Sequence, residues 1–142
     1  MAKGRVVLDT SVIVSALLWT GIPHRLLQAA ESGDFALVTC PSIIDEMRNV
    51  LVRPKFASRI AALNTSIGEL TESFLSIVEI IQEPKSKAVI TRDPDDDKIL
   101  ACALASRARW IVSGDSHLLD LKQYRGIPVL TPKQFWESWS KK

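Results

Sequence analysis

Acidic side chains fall at points in this chain where a parallel sheet would gather them. Asp9 ends the short β-branched run Arg5–Asp9, and Asp115 follows a second apolar run, Trp110–Ser113. In open parallel sheets, ligands bind beyond the carboxyl ends of the strands. We therefore expect these acids to converge at one edge of a sheet. Further acids that belong to the same expectation are Glu46, Asp93, Asp95, Asp96 and Asp97.

Carboxylates that share one pocket repel each other unless a cation neutralises them. Hard divalent ions such as Mg²⁺ and Mn²⁺ take oxygen ligands, so the acidic cluster indicates a metal site. Such an ion can orient a water molecule and polarise a phosphodiester for in-line attack. The residue types therefore predict metal-assisted phosphodiester hydrolysis.

Helical periodicity separates some of the acids. At about 100° per residue, the helix that contains Glu46 has one apolar stripe, formed by Ile43, Ile44, Met47, Val50 and Leu51. Asp45 points nearly opposite that stripe, towards solvent, whereas Glu46 lies at its border and is the better candidate. The same arithmetic does not separate Asp96 from Asp97, since both begin the later helix close to its apolar face.

Each acid also has a structural interpretation. Carboxylates that precede or open helices cap free N–H groups and favour the helix dipole, which could account for Asp95, Asp96, Asp97 and Asp115 singly. Glu46 alone could be a solvated surface acid. Asp9 is harder to explain in this way, because a carboxylate directly after an apolar strand needs a partner.

Strands and helices alternate along the sequence. Apolar runs predict five strands, and the segments between them have helical patterns. This alternation predicts a three-layer α/β/α sandwich with a central, mostly parallel sheet of about five strands. The predicted strands are Arg5–Asp9, Phe35–Thr39, Ser76–Ile81, Trp110–Ser113 and Pro128–Leu130. The predicted helices are Ser11–Leu18, His24–Ser32, Pro41–Val52, Ala57–Phe74 (with a break near Gly68), Asp96–Ala108 and Pro132–Ser138.

Composition excludes several classes of protein. The 142 residues suit one domain, 1–142, and 46% apolar with 24% charged residues is ordinary for a globular protein. No run is long enough to predict a membrane span, so the expected compartment is the cytoplasm. The net charge of +2 is divided evenly between the two halves of the chain, so no basic tail indicates nucleic-acid binding. Cys40 and Cys102 are expected to be buried thiols.

Four segments together resemble the PIN-domain ribonucleases. Val-Val-Leu-Asp9-Thr10-Ser11 is similar to that family's opening strand, and Ile-Ile-Asp-Glu46-Met to its second acidic segment. The run Asp-Pro-Asp-Asp-Asp97 resembles the third motif, and Ile-Val-Ser113-Gly-Asp115 the fourth. Cys40 departs from the pattern, because a hydroxyl or acid usually caps the helix that carries Glu46.

The resemblance implies a nuclease that cleaves single-stranded RNA, similar to the toxin components of toxin–antitoxin pairs. By that likeness Asp9, Glu46, Asp97 and Asp115 would bind Mg²⁺ or Mn²⁺, and the family's usual spacing favours Asp97 over Asp96. Asp96 or Asp95 would assist, with one or two ions. Ser11 and Ser113 would orient the carboxylates, and Arg92, Lys98 and Arg48 are candidates for contacts with RNA phosphates. A cognate antitoxin and a homodimer are the implied protein partners.

Two alternatives compete with the nuclease. A phosphoacceptor receiver domain needs an acid after the third strand and a lysine after the fifth, and Ile81-Gln82 and Leu130-Thr131 do not fit. The second is a non-catalytic PIN fold that binds RNA or protein. Clustering all four acids argues against it, because burying them together is costly without a metal.

Overall fold

The computed structural model describes residues 4–85 and 94–140, and in the second range the side chains from residue 96 onward. These residues form a sheet of six strands in the order β3-β2-β1-β4-β6-β5. The strands are β1 (Arg5–Leu8), β2 (Ala36–Thr39), β3 (Glu79–Ile80), β4 (Trp110–Val112), β5 (Gln123–Tyr124) and β6 (Ile127–Leu130).

Eight α-helices and one 3₁₀ turn are found in the described ranges. The helices are α1 (Thr10–Leu18), α2 (Ile22–Glu31), α3 (Pro41–Leu51), α4 (Ala57–Ala62), α5 (Ile67–Leu75), α6 (Pro94–Ser106), α7 (Ser116–Asp120) and α8 (Pro132–Ser140), and the 3₁₀ turn is Pro54–Phe56. No helix in these ranges has the length and apolar character that crossing a bilayer requires.

The strand order places a topological switch point between β1 and β4. From β1 the chain moves outward on one side through β2 and β3, then crosses to β4 and β6 on the other side. All these pairs are parallel, and Leu8 of β1 lies opposite Val112 of β4. Ligand sites in open α/β sheets form where the order reverses, beyond the carboxyl ends of the strands. Asp9 and Ser113 are the first residues beyond those ends.

Helices cover both faces of the sheet. Val6 and Val7 are successive residues of β1, so their side chains point to opposite faces, and both are fully buried. A strand that is buried on both faces is typical of a parallel sheet between two helical layers. The predicted α/β architecture with a mostly parallel central sheet is therefore confirmed.

The sheet has one strand more than the five predicted. The extra strand, β5, pairs antiparallel with β6 through a two-residue turn at Arg125 and Gly126. Both turn residues have positive φ, 49° and 84°, as a type I′ hairpin requires. Arginine is an unusual residue at the first of these positions, so the sequence carried only a weak turn signal. Conversely, β3 is shorter than the predicted strand Ser76–Ile81.

Helix boundaries differ from prediction where local caps intervene. The long helix predicted over Ala57–Phe74 is interrupted at residues 63–66, before Gly68, because Asn64 adopts a left-handed conformation with φ of 57°. Ser66 then caps α5 by accepting from the Glu69 N–H at 3.1 Å. The short helix α7 was not predicted. At the start of α8, Thr131 and Gln134 exchange bonds of 3.0 Å, which form a capping box.

Candidate active site

Asp9 is the most firmly held acid of the site. Its carboxylate caps α1, accepting at Oδ1 from the Val12 N–H at 3.0 Å and from the Ser11 hydroxyl at 2.8 Å. The Ser113 hydroxyl donates to the other oxygen, Oδ2. Its backbone N–H donates to the Val112 carbonyl at 3.0 Å, which ties the residue to β4. Asp9 is only 5% exposed, so these donors replace the water that a buried carboxylate loses.

Ser113 links the two strand-borne acids. It is fully buried, and its hydroxyl oxygen accepts from the Asp115 N–H at 2.9 Å while its hydroxyl donates to Asp9. Asp115 caps α7 by accepting from the His117 N–H at 2.7 Å. The two carboxylates therefore stand at the N-terminal ends of two helices, α1 and α7. The structure places Ser11 and Ser113 against Asp9, the position at which the family resemblance predicts groups that orient the carboxylates.

Glu46 reaches the same edge from α3. Ile43, Met47 and Leu51 of that helix are buried and Asp45 is exposed, as the predicted apolar stripe requires. Glu46 lies half-buried at the border of the stripe. Its Oε2 accepts a bond of 3.1 Å from the Thr10 hydroxyl. Thr10 is a site residue whose partner the sequence did not reveal, because the contact joins residues far apart in the chain.

Four carboxylates line one small cavity beyond the strand ends. The cavity has a volume of about 120 Å³, enough for a few water molecules or an ion with part of its hydration shell. Its lining consists of Asp9, Thr10, Ser11, Glu46, Asp96, Ile99 and Asp115. The convergence of acids at one edge of the sheet is thus observed in the described structure. We call this space the acid cavity.

The third acid of the cavity is Asp96, whereas sequence spacing favoured Asp97. Asp96 is 6% exposed and belongs to the lining, while Asp97 is half-buried and does not. The reason is helical geometry, since consecutive residues of α6 point about 100° apart. The spacing of residues along the sequence does not show how the helix is rotated about its axis, and so it does not show which of the two side chains faces the cavity. The side chain of Asp95 lies outside the described residues.

The donor set of the acid cavity fits a hard divalent cation. All four acids offer oxygen, the ligand that Mg²⁺ and Mn²⁺ prefer, and two of them are buried almost completely. Among the described residues, however, no three His, Cys, Asp or Glu side chains already stand in an arrangement that could hold a metal. The four carboxylates share a cavity without being drawn together at one point.

Glu83 caps the start of α3, where Cys40 lacks the hydroxyl or acid that usually serves as the cap. Cys40 makes no side-chain cap, and the Glu83 carboxylate accepts instead from the Ser42 N–H at 2.9 Å and from the Ser42 hydroxyl. Partial burial would raise the pKa of Glu83, but these bonds outweigh it and lower the pKa below its ordinary value. The cap comes from the chain after β3, so local sequence did not reveal it.

The two cysteines are buried thiols, as predicted, and they touch each other. A hydrogen bond with Cys102 lowers the pKa of the Cys40 thiol to about 7, and the same contact raises the pKa of Cys102. Both have no exposed surface, and neither forms a disulfide. They pack α6 against the junction of β2 and α3, and so they help to position the helices that carry Asp96 and Glu46.

A second cavity adjoins the acid cavity. Its volume is about 290 Å³, and it shares Glu46 as a lining residue with the first. Arg53 and Lys98 contribute cations to it. Of the three predicted phosphate contacts, Lys98 lies here and Arg48 lies exposed elsewhere on α3. Arg92 is outside the described residues.

Comparison with known proteins agrees with this fold. Residues 5–117 match the PIN domain family. An uncharacterized protein, MJ1680 of Methanocaldococcus jannaschii, is 32% identical over 98% of this chain and 94% of its own. The crystal structure of VapBC2 from Rickettsia felis, bound to a DNA fragment from its promoter, contains a similar fold. The match has a TM-score of 0.60 and 16% identity, and it covers 88% of this chain and 96% of that one. With a family match over most of its length, the chain belongs to the PIN domain family.

Proposed function

We propose that this chain is a cytoplasmic, metal-dependent endoribonuclease that cleaves single-stranded RNA, and that it is the toxin of a toxin–antitoxin pair. The observation that supports the nuclease best is the acid cavity, where Asp9, Glu46, Asp96 and Asp115 meet at the switch point of the sheet. Membership of the PIN domain family supports the same reaction class.

The four acids of the cavity would hold Mg²⁺ or Mn²⁺, with Asp97 the sequence-based alternative to Asp96. When bound, such an ion supplies an activated water and polarises the scissile phosphodiester. The chain's own contribution is orientation. The bonds from Ser11, Ser113 and the start of α1 fix the Asp9 carboxylate, and Thr10 restrains Glu46. Groups that orient metal ligands in this way typically matter about 10–100-fold for activity or affinity.

The burial of the acids also explains why the acid cavity would need a cation. Asp9 and Asp96 are almost fully buried beside two other carboxylates, and buried like charges are costly without compensation. The ends of α1 and α7 compensate in part, since each places backbone N–H groups against a carboxylate. A divalent ion would complete the neutralisation.

The proposed protein partners are an antitoxin and a second copy of this chain. The similar fold in VapBC2, a complex bound to a DNA fragment from its promoter, supports an antitoxin partner for this chain. A homodimer would have twice the 15.7 kDa mass of one chain, which light scattering measures directly.

The nuclease is tested with a labelled single-stranded RNA and the purified protein in Mn²⁺, Mg²⁺ or EDTA. We expect cleavage that requires the metal and falls by more than about 100-fold in Asp9→Asn. Asparagine still caps a helix, so the variant should stay folded. The matched control is Asp34→Asn, which removes the same charge at an exposed turn.

Either of two results would overturn the nuclease. Equal cleavage by wild type and Asp9→Asn would indicate a contaminating enzyme. Absence of metal-dependent cleavage on several RNAs would favour the alternative, a PIN fold that binds RNA or protein without catalysis.

A further inference from the structure

Cations are segregated in the chain immediately after the acid cavity. Residues 47–68 contain Arg48, Arg53, Lys55 and Arg59 but no Asp or Glu. This segment follows Glu46 directly and covers the end of α3, the 3₁₀ turn and α4. Within the described residues, Arg53, Lys55 and Arg59 form no ion pair. A net charge of only +2 for the whole chain therefore conceals a locally cationic surface beside the site.

Two aromatic rings lie within that cationic surface. Trp19, at the end of α1, is 44% exposed and packs edge-to-face against Phe56, with 5.9 Å between the ring centroids. The Lys55 ammonium lies over the Phe56 ring, 5.1 Å from its centroid, and the Arg59 guanidinium carbon lies over the Trp19 ring, 5.8 Å from its centroid. We call Trp19, Arg53, Lys55, Phe56 and Arg59 the Trp19 platform.

The platform is held in place by its own contacts. Arg59 donates from Nε to the Leu18 carbonyl at 2.7 Å, which joins α4 to the end of α1. A guanidinium has five N–H donors, so this bond leaves others for a ligand. Exposing a large indole to water is unfavourable, and an aromatic face framed by cations is typical of surfaces on which nucleic-acid bases stack.

The platform and the acid cavity are connected. Thr10 of the acid cavity and Trp19 stand at opposite ends of α1, a helix of nine residues that is about 13 Å long. Arg53 also lines the second cavity, which meets the acid cavity at Glu46. That second cavity contains Asp45 as well as its cations, so the surplus of positive charge lies further out, at Lys55 and Arg59.

We propose that the Trp19 platform binds the single-stranded RNA that enters the acid cavity, with Arg53 and Lys55 on phosphates and a base stacked on Trp19. The identity of the polymer rests on the proposed function, whereas the binding surface rests on the contacts above. Cations beside the aromatic rings, in a segment (47–68) that has no carboxylate of its own, favour a polyanion over a protein helix. These phosphate and stacking contacts include no hydrogen bond to the edge of a base, so the binding would be independent of the RNA sequence.

Binding is measured separately from cleavage, by fluorescence anisotropy of a labelled oligouridine in EDTA. We expect Trp19→Ala to weaken binding about tenfold, within the range for one stacked base. The double variant Arg53→Gln/Lys55→Gln should lower the slope of log affinity against log salt by about 1.4, for two phosphate contacts at about 0.7 each. Both effects should raise KM for cleavage and leave kcat unchanged.

The control carries the same loss of charge at the β5 edge of the sheet. Lys122→Gln/Lys133→Gln removes two exposed cations next to β5 and β6, and it should leave the salt slope as in wild type. Thermal melting checks that each variant folds. Arg53 and Lys55 are both exposed, so their double variant tests the platform even if Trp19→Ala is unstable.

The outcomes separate this inference from the nuclease. If the platform variants weaken oligouridine binding but wild type cleaves no RNA, the platform stands and the nuclease falls. If wild type cleaves RNA and the platform variants bind it with unchanged affinity and slope, the platform is wrong. A platform variant that alters the oligomeric state without altering RNA affinity would also overturn it, and would assign the surface to a protein contact.

Discussion

The four carboxylates of the acid cavity are supported in two different ways. Asp9 and Asp115 follow neighbouring strands, and each caps a helix, so backbone N–H groups and the Ser113 hydroxyl fix them. Glu46 and Asp96 instead project from the sides of α3 and α6, and their positions depend on how those helices pack. The strand-borne acids are therefore held by their own helix caps and by the pairing of β1 with β4, whereas the helix-borne acids depend on how whole helices pack.

The largest expected effect distinguishes the two candidates on α6. We expect Asp96→Asn to lower cleavage by more than about 100-fold and Asp97→Asn by less than about tenfold, because only Asp96 lines the cavity. Initial rates of RNA cleavage at matched Mn²⁺ concentrations measure both. If Asp97→Asn proves the more damaging, the family spacing identified the ligand and the cavity lining did not.

A smaller effect tests the support of the strand-borne acids. Ser113→Ala removes the donor to Asp9 and the acceptor of the Asp115 N–H, so we expect cleavage to fall about 10–100-fold. Ser106→Ala is the matched control, since Ser106 is also buried but its hydroxyl donates to the Ala103 carbonyl of its own helix.

Both serine variants should lose some stability, by about 1 kcal/mol for a buried hydrogen bond. Only Ser113→Ala should lose activity in excess of that loss. Equal activity of the two variants would show that the Ser113 bonds stabilise the fold without orienting the site.

The smallest effect concerns the helix that carries Glu46. Glu83→Gln should cost about 0.5 kcal/mol, the low end for a helix cap, because the carboxylate is exposed. Since the pKa of Glu83 is lowered in the folded state from its ordinary 4.5, its stabilising contribution is complete above that pH and is lost as the pH falls below it.

Urea unfolding at several pH values measures this contribution. The difference in unfolding free energy between wild type and Glu83→Gln should shrink below about pH 4. A difference that stays constant down to low pH would mean that the Ser42 bonds do not depend on the charge of Glu83.

Much of the fold could be predicted because its signals are local. The β-branched run at β1, the stripe of Ile43, Met47 and Leu51, and the capping box at Thr131 each depend on a few neighbouring residues. The features that the sequence did not predict depend on left-handed backbone conformations at residues whose types do not favour them strongly. Arg125 enters a left-handed turn to form the β5–β6 hairpin, and Asn64 does so to divide α4 from α5.

The residues of the candidate site also divide into those with local sequence signals and those that depend on distant contacts. Asp9 and Asp115 could be recognised from sequence, because each directly follows an apolar strand. The pairing of Thr10 with Glu46 and the cap that Glu83 provides for α3 join distant parts of the chain. Which of Asp96 and Asp97 lines the cavity depends on the rotation of α6 about its axis, which the packing of that helix on the sheet decides.

Asp9 both caps α1 and lines the acid cavity, and this affects how the same position should be interpreted in related chains. Because its carboxylate begins α1 as well as facing the cavity, selection for a folded protein would keep a capping residue there even in a lineage that had abandoned catalysis. Asparagine would serve that purpose without the charge. If the proposed function is correct, an amide at this position in an alignment would indicate a chain that still folds but has lost the reaction.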